Sequence, residues 1–471
     1  MECEPQESQA AFGRIKPDTK KTAPRGNTGR SPVEPEGILE AILKTIFHFF
    51  PKLNQWFNQI EDPRDPNRLL YPLRFLFWEI LVMFLCQLKA RRRLGYDLNS
   101  QFGLANLNHL AETHLETLPH PDTVIYPMKG RSLDASVSDE IRVQMARSLL
   151  RMRALEKFRL LNRYYLVAID GTRMLSFSER HCDHCLTTTL TNGQTIYYHP
   201  VLEAKIVCSN GLVVSVASEF MLNTDGQSKQ DCELKAFYRL LPKFRKRFPF
   251  LEVCLLLDGL YLNQQVFALC KAHHCSYIIT FKEGSLPTAY EEFQAIHALC
   301  PEQVLEVSEG PVNTRYRWVN DLCHEGHPFN AFECSETLSS ETLRFFFWAT
   351  NLKVSHKNVV SLSNEGGRLR WKIENQGFNS QKNGGFGLEH PYCMDWNTAQ
   401  HFYYLLQCAH LIWQLICLGN LLDIPAQALF GSLKAFGMRI LEAWRSASID
   451  PVRFQAIRAS PFQIRFRSVF T

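Results

Sequence analysis

Apolar residues recur three and four positions apart from Ile38 onward, through ILEAILKTIFHFFPKLNQWFNQI and again through YPLRFLFWEILVMFLCQLKA. That spacing predicts two helices, parted by the break DPRDPNR. Helical patterning continues to about residue 163, with a turn near residues 120–123. The period then changes to two. YYLVAID is a short β-branched and aromatic run that ends on an acid, and PVLEAKIVCS and LVVSVASEF alternate as paired strands joined by Asn210-Gly211. KQDCELKAFYRLLPKFRKRF predicts a helix, LEVCLLLD a strand buried on both faces, NQQVFALCKAHH a helix and SYIITF a further buried strand. The order β-β-β-α-β-α-β predicts an α/β fold with a mixed sheet and helices on both sides.

Residues 284–362 interrupt this scheme with VLEVSEG, TRYRWVND, HPFNAFECSE and LRFFFWATNL, read as a β-rich insertion. Helical character returns at about residue 370 and holds to residue 441. The expected organisation is a disordered tail (1–36), a helical N-terminal region (37–163), an α/β core in two parts (164–283 and 363–441) around the insertion (284–362), and a basic tail (442–471). The first 36 residues carry almost no large apolar groups and cannot bury enough surface to order themselves.

Composition narrows the class. The chain has 471 residues, 45% hydrophobic and 21% charged, which excludes wholesale disorder and fibrous proteins. With 52 Lys plus Arg against 47 Asp plus Glu, the net charge of +5 permits nucleic acid as a partner without arguing for it. The start, MECEPQESQA, does not look like a secretory signal, and the cysteines sit in apolar segments as reduced core thiols do. The most apolar stretch, 402–422, is interrupted by Gln407, His410 and Gln414 and reads as a buried helix, with no membrane span expected.

Two buried-looking strands end in Asp followed by Gly, at Asp170 in AIDGT and Asp258 in LLLDGLY. A carboxylate there sits at the sheet edge, within reach of solvent, and the glycine lets backbone or ligand come close. Two such acids converging repel unless a cation lies between them, and oxygen ligands select hard ions, Mg²⁺ or Mn²⁺. A third acid, Glu374, lies four residues after Arg370 and shares its helix face, with Trp371 and Ile373 expected to anchor the segment on a core. Lys382 lies about two turns further on. Three such carboxylates suit a site for two metal ions held roughly 3.5–4 Å apart.

Weaker signals accompany these. Residues 141–163 hold seven cations, Arg151 and Arg153 among them, against Glu156 alone, a candidate phosphate-contacting surface. His181, Cys182, His184 and Cys185 form a thiol–imidazole cluster in which Cys182 and Cys185 could hold structural Zn²⁺, completed by a flanking histidine and by Cys323, His324 or His327. Asp231 and Glu233 open a helix, where acids favour the dipole, and are read as capping residues.

At these residues the chain resembles RNase H-like DDE transposases of bacterial insertion sequences. The likeness is carried by an acid after the first strand, another after the fourth, a β-rich insertion, a helical Glu, and the stretches WKIENQGFN and QKNGGFGLEH. It points to the branch with a Tyr–Arg–Glu–Lys signature. The resemblance implies Asp170, Asp258 and Glu374 as catalytic, metal-binding residues for two Mg²⁺ (or Mn²⁺) ions, and Arg370 as the signature's Arg. The Tyr position falls on Gly367 and the Lys position on Gln381, with Lys382 one residue late. The resemblance further implies double-stranded DNA as partner (element ends and target) and a homodimer in the DNA complex. It implies a cytoplasmic, nucleoid-associated location and an insertion aromatic that stacks on a flipped base, with Trp318 and Trp348 as candidates. A transposase-derived DNA-binding protein without catalysis, and a nuclease that cuts without joining, are the alternatives.

Overall fold

The computed structural model describes residues 33–223, 230–338, 341–422, 425–459 and 462–467. Most of the expected N-terminal tail, residues 1–32, lies outside them. Residues Pro35–Thr471 make one compact unit, and its first helix, Pro35–Phe49, already begins inside the stretch read as tail.

The frame is a ten-stranded mixed sheet flanked by helices. Its strands are β1 (Tyr165–Phe177), β2 (Leu186–Thr189), β3 (Thr195–Val207), β4 (Val213–Phe220), β5 (Val253–Leu257), β6 (Ser276–Thr280), β7 (Val304–Glu309), β8 (Val312–His324), β9 (His327–Leu338) and β10 (Glu341–Thr350). Their order is β2-β3-β1-β5-β6-β10-β9-β8-β7, with β4 also pairing to β3. β1, β5 and β6 run parallel, while β3 is antiparallel to β1. The parallel strands β5 and β6 are the continuous apolar runs, buried on both faces as such strands must be. The Asn210-Gly211 turn joins β3 to β4, with Gly211 at φ 90° and the Asn210 side chain accepting from the Leu212 amide at 3.1 Å. β2 was not foreseen; it is a four-residue edge strand on β3.

The insertion is not set apart from the core. It begins with a helix, Pro287–Leu299, and its strands extend the same sheet because β10 pairs antiparallel with β6, Trp348 opposite Thr280. Trp318, Phe332 and Trp348 from the insertion share one buried cluster with Leu256, Ile278, Leu362 and Ile373. The C-terminal region expected as a basic tail carries a helix, Pro451–Ala459, with Phe454 and Ile457 buried and the Phe454 ring 5.3 Å from that of Phe47.

The helix Trp396–Leu418 is buried almost throughout. Its polar interruptions explain why a helix this apolar belongs in a protein interior: Gln414 pairs with the backbone of Val213 in both directions at 2.9 Å, and Gln407 accepts from Lys205 at 2.6 Å. Among the described residues no helix is long and apolar enough to cross a membrane.

Candidate functional site

The parallel register of β1 and β5 sets Ala168 opposite Leu256. Two residues further along each strand, Asp170 and Asp258 therefore lie side by side where the apolar runs end. Asp258 leaves the sheet in extended conformation and caps the short turn Gly259–Tyr261 by accepting from the Leu260 amide at 2.9 Å. Asp170 Oδ1 accepts from the Gly171 amide at 2.9 Å, and its Oδ2 meets Arg370 Nη1 at 3.2 Å.

Glu374 reaches the same place from above. The chain from Val359 to Asn383 is helical but irregular, passing through π turns at Leu362–Gly366 and Ile373–Asn379 and a 3₁₀ turn at Gly367–Arg370. Such π turns collect at functional sites because they re-aim side chains. Here Arg370 is left between the two acids, with Nη2 3.1 Å from Glu374 Oε1 and Nη1 3.2 Å from Asp170 Oδ2. The three acids and the arginine singled out in the sequence thus meet.

A fourth acid joins them. Glu233 opens the helix Glu233–Arg247, yet it does more than favour a dipole. A Cβ on Gly171 would come within 2.9 Å of Glu233 Oε2, so this carboxyl approaches from the face opposite Asp170, since neighbouring strand residues point to opposite sides. Its Oε1 accepts from the buried Tyr261 hydroxyl at 2.7 Å. Burial, with the charge of Asp258 nearby, raises its pKa against the opposing effect of Tyr261 and Arg370. The signal that could have revealed it is Gly171, which is required for this approach. Gly259 has a comparable neighbour: a Cβ there would lie 3.4 Å from the Lys282 side chain, a cation absent from the sequence reading.

The electrostatics follow from counting. Asp170, Glu374 and Glu233 share the Arg370 guanidinium, and Asp258 lies close to Glu233. Burial pushes the Asp170 carboxyl up to about 8; Arg370 opposes this, while Glu233 and Glu374 add to it. A cluster short of positive charge, whose donors are all carboxylate oxygens, fits a hard divalent ion.

Other expected residues stand elsewhere. Trp318 is 2% exposed and packs edge-on against His356, so it has no face for a base; Trp348 is equally buried. A side chain at Gly367 would strike the Trp348 indole at 2.5 Å, so Trp348 fills the space where the signature's Tyr would stand. Trp371, expected to anchor on the core, is instead 54% exposed, its ring centroid 5.9 Å from the Arg370 guanidinium. Lys382 is held by Glu389 at 2.8 Å. The basic run is not one face: Arg142 is buried against Asp139, Arg163 pairs with Glu252, and Arg159 with Glu156. Arg151 and Arg153 are exposed, but they precede β1, whereas Asp170 is its sixth residue.

Cys182 and Cys185 do converge with a histidine, but it is His199 of β3. Cys323, His324 and His327 lie on the β8–β9 hairpin. Five strand steps part β9 from β3, roughly 24 Å at the usual inter-strand spacing. His390 packs on Tyr392, its ring 4.8 Å away.

In sequence comparisons, no protein-family model and no curated protein matches this chain.

Proposed function

We propose that this chain is a DDE transposase with an RNase H-like core, which binds the ends of its own mobile element, cleaves DNA and joins 3′ ends to target DNA. The observation that carries the reading is that Arg370 holds both Asp170 and Glu374, while Asp258 lies beside Asp170 at the end of the neighbouring parallel strand. Counting β1, β3, β4 and β5, Asp258 follows the fourth long strand and the insertion precedes the helical acid, as the resemblance calls for, whereas Asp170 lies within the first strand, which runs on to Phe177.

Asp170, Asp258 and Glu374 would hold two Mg²⁺ or Mn²⁺ ions, with Glu233 supporting from the far face. The ions would supply the activation of a water or 3′-hydroxyl and the stabilisation of the leaving oxygen. The chain's own residues do the rest. Arg370 neutralises the acids without metal and turns to the substrate phosphate once cations replace it. Gly171 makes room for the Glu233 carboxyl, and Lys282 beside Gly259 is placed to meet a backbone phosphate. The substrate is double-stranded DNA. Because two ends must be processed together, the working complex is a homodimer.

A second reading, an RNase H-like nuclease that cuts without joining, is favoured by one observation: neither insertion tryptophan is available to stack on a base. The test uses a supercoiled plasmid carrying the DNA that flanks the gene. Mg²⁺-dependent cleavage by the wild type and its loss in Asp170→Asn, Asp258→Asn and Glu374→Gln, with DNA binding retained, support the assignment. Wild-type cleavage by Asp258→Asn refutes it, and cleavage without strand-transfer products leaves the nuclease. A chain that binds the flanking DNA but never cuts it is a regulator derived from a transposase.

A further inference from the structure

Two thiols and an imidazole converge beyond the acid cluster. His199 pairs with Leu175 in the β1–β3 ladder, five residues past Asp170, or about 16 Å along the strand. Its Nε2 lies 3.3 Å from Cys182 Sγ and 3.3 Å from Cys185 Sγ, and the two sulfurs are 3.7 Å apart. These are the edges of a metal tetrahedron. With Zn–S of about 2.3 Å and Zn–N of about 2.0–2.1 Å, tetrahedral angles require roughly 3.8 Å between sulfurs and roughly 3.5 Å from sulfur to nitrogen. A disulfide needs its sulfurs about 2.05 Å apart, so the thiols are arranged for a shared cation and not for each other.

The surroundings hold this geometry in place. Cys185 and His199 are 0% and 1% exposed, and Cys182 is half-buried. The imidazole is stacked on Trp396, centroids 4.5 Å apart, with Phe177 edge-on to it. The Cys182–Cys185 turn is closed by its own backbone, the Cys185 amide donating to the Cys182 carbonyl at 3.3 Å. On either side, His181 Nε2 meets the Met394 carbonyl at 2.7 Å, and His184 Nδ1 meets the Asn223 carbonyl at 3.0 Å.

We infer that Cys182, Cys185 and His199 bind a structural Zn²⁺ ion, which fastens the β1–β2 loop to β3 and to the start of the helix Trp396–Leu418. A water or a reoriented His181 or His184 completes the set of four. On binding, the two thiols release their protons to solvent and coordinate as thiolates. Sulfur and nitrogen donors select zinc, whereas the oxygen cluster at Asp170 selects magnesium, so one chain keeps two separate kinds of metal chemistry. The inference is independent of the transposase reading, since it needs no DNA.

The full-length protein, purified without chelator and passed through a desalting column, is measured for metal content by mass spectrometry. About one zinc per chain is expected in the wild type, falling below about one in ten in Cys182→Ser and Cys185→Ser. Asp170→Asn should keep its zinc, which separates this site from the acid cluster. Cobalt exchanged into the wild type should give a sulfur-to-metal charge-transfer band that Cys182→Ser loses. His199→Gln checks the third ligand, and Cys182→Ser, at the half-exposed position, guards against a fold that simply fails. A folded wild-type chain without zinc, with both thiols freely reactive or joined as a disulfide, overturns the proposal.

Discussion

Asp170 and Glu203 face each other across the β1–β3 ladder, yet they live in opposite electrostatic worlds. Glu203 is fully buried and fully answered. Ser215, Ser218 and Tyr403 donate hydroxyls to it, and Lys205 lies 3.8 Å away. Arg142 donates to the same Ser215 at 2.8 Å and pairs with Asp139, which also meets Arg247 at 2.5 Å. Asp170, one strand over, has one guanidinium against the charges of Glu233 and Glu374. The first arrangement closes charge upon charge and leaves nothing for a ligand. The second leaves a deficit that only something from outside can fill. A carboxylate in a sheet is functional or structural according to what the flanking helices bring to it.

Breaking either side should give opposite results. The largest effect is on chemistry: Asp170→Asn should lower Mg²⁺-dependent DNA cleavage by at least about a thousandfold, since each factor of ten is about 1.4 kcal/mol of transition-state stabilisation. Its thermal midpoint without divalent ions should equal or exceed that of wild type, because burial disfavours the ionised carboxylate there and the amide carries no charge. Calorimetry in chelator checks this, and a clear loss of stability would mean that Asp170 is structural after all.

Glu203→Ala should do the reverse. Leaving the buried Lys205 without its acid costs about 3–5 kcal/mol of stability, read by urea unfolding. An unchanged midpoint would show that the closed network is dispensable.

Acid supplies a third handle. His410 is fully buried, its Nδ1 facing the Gln381 and Gln414 amides at 3.1 and 3.2 Å and its Nε2 facing Ser380 at 3.3 Å. Burial, with Lys205 nearby, pulls its pKa down to about 3. The unfolded chain binds this proton near pH 6.5, so the stability His410 gives by staying neutral is present above that pH and drains as pH falls toward 3. Between pH 6.5 and 4 the loss is roughly 3 kcal/mol. His410→Gln should flatten that part of the stability profile, and an equally steep slope in the variant would assign the acid sensitivity elsewhere.

Smaller effects sharpen the boundary of the site. Glu233→Gln, which keeps the Tyr261 contact, should slow cleavage by about tenfold without abolishing it, if Glu233 only supports the three ligands. Trp371→Ala should weaken binding of single-stranded element ends by about 1–3 kcal/mol if its exposed ring stacks on a base, as fluorescence titration would detect. Trp318→Phe should leave that titration unchanged.

The acids that converge were legible because their signals are local. An apolar run ending in Asp-Gly marks where a strand leaves the core, which holds for Asp258 after β5, although β1 runs on past Asp170 to Phe177, and an Arg four residues before a Glu marks a shared helix face. Glu233 was hidden because capping explained it equally well. His199 was hidden because it lies on a strand fourteen residues from Cys185, where no spacing rule points. Trp318 and Trp348 looked available because alternation says which residues share a face, but not which face a helix will cover. The cluster with Leu362 and Ile373 decided that.

Hydrophobic period alone determined that this chain builds a mixed sheet with a helical flank and a strand-rich insertion, because period is set by backbone geometry within a few residues. Which charges are answered and which are left wanting was decided only in three dimensions. Asp139, Arg142, Glu203 and Lys205 neutralise one another across a helix and a strand, and Arg370 reaches back two hundred residues to Asp170. Electrostatic compensation depends on distance through space, and a linear sequence does not carry that distance.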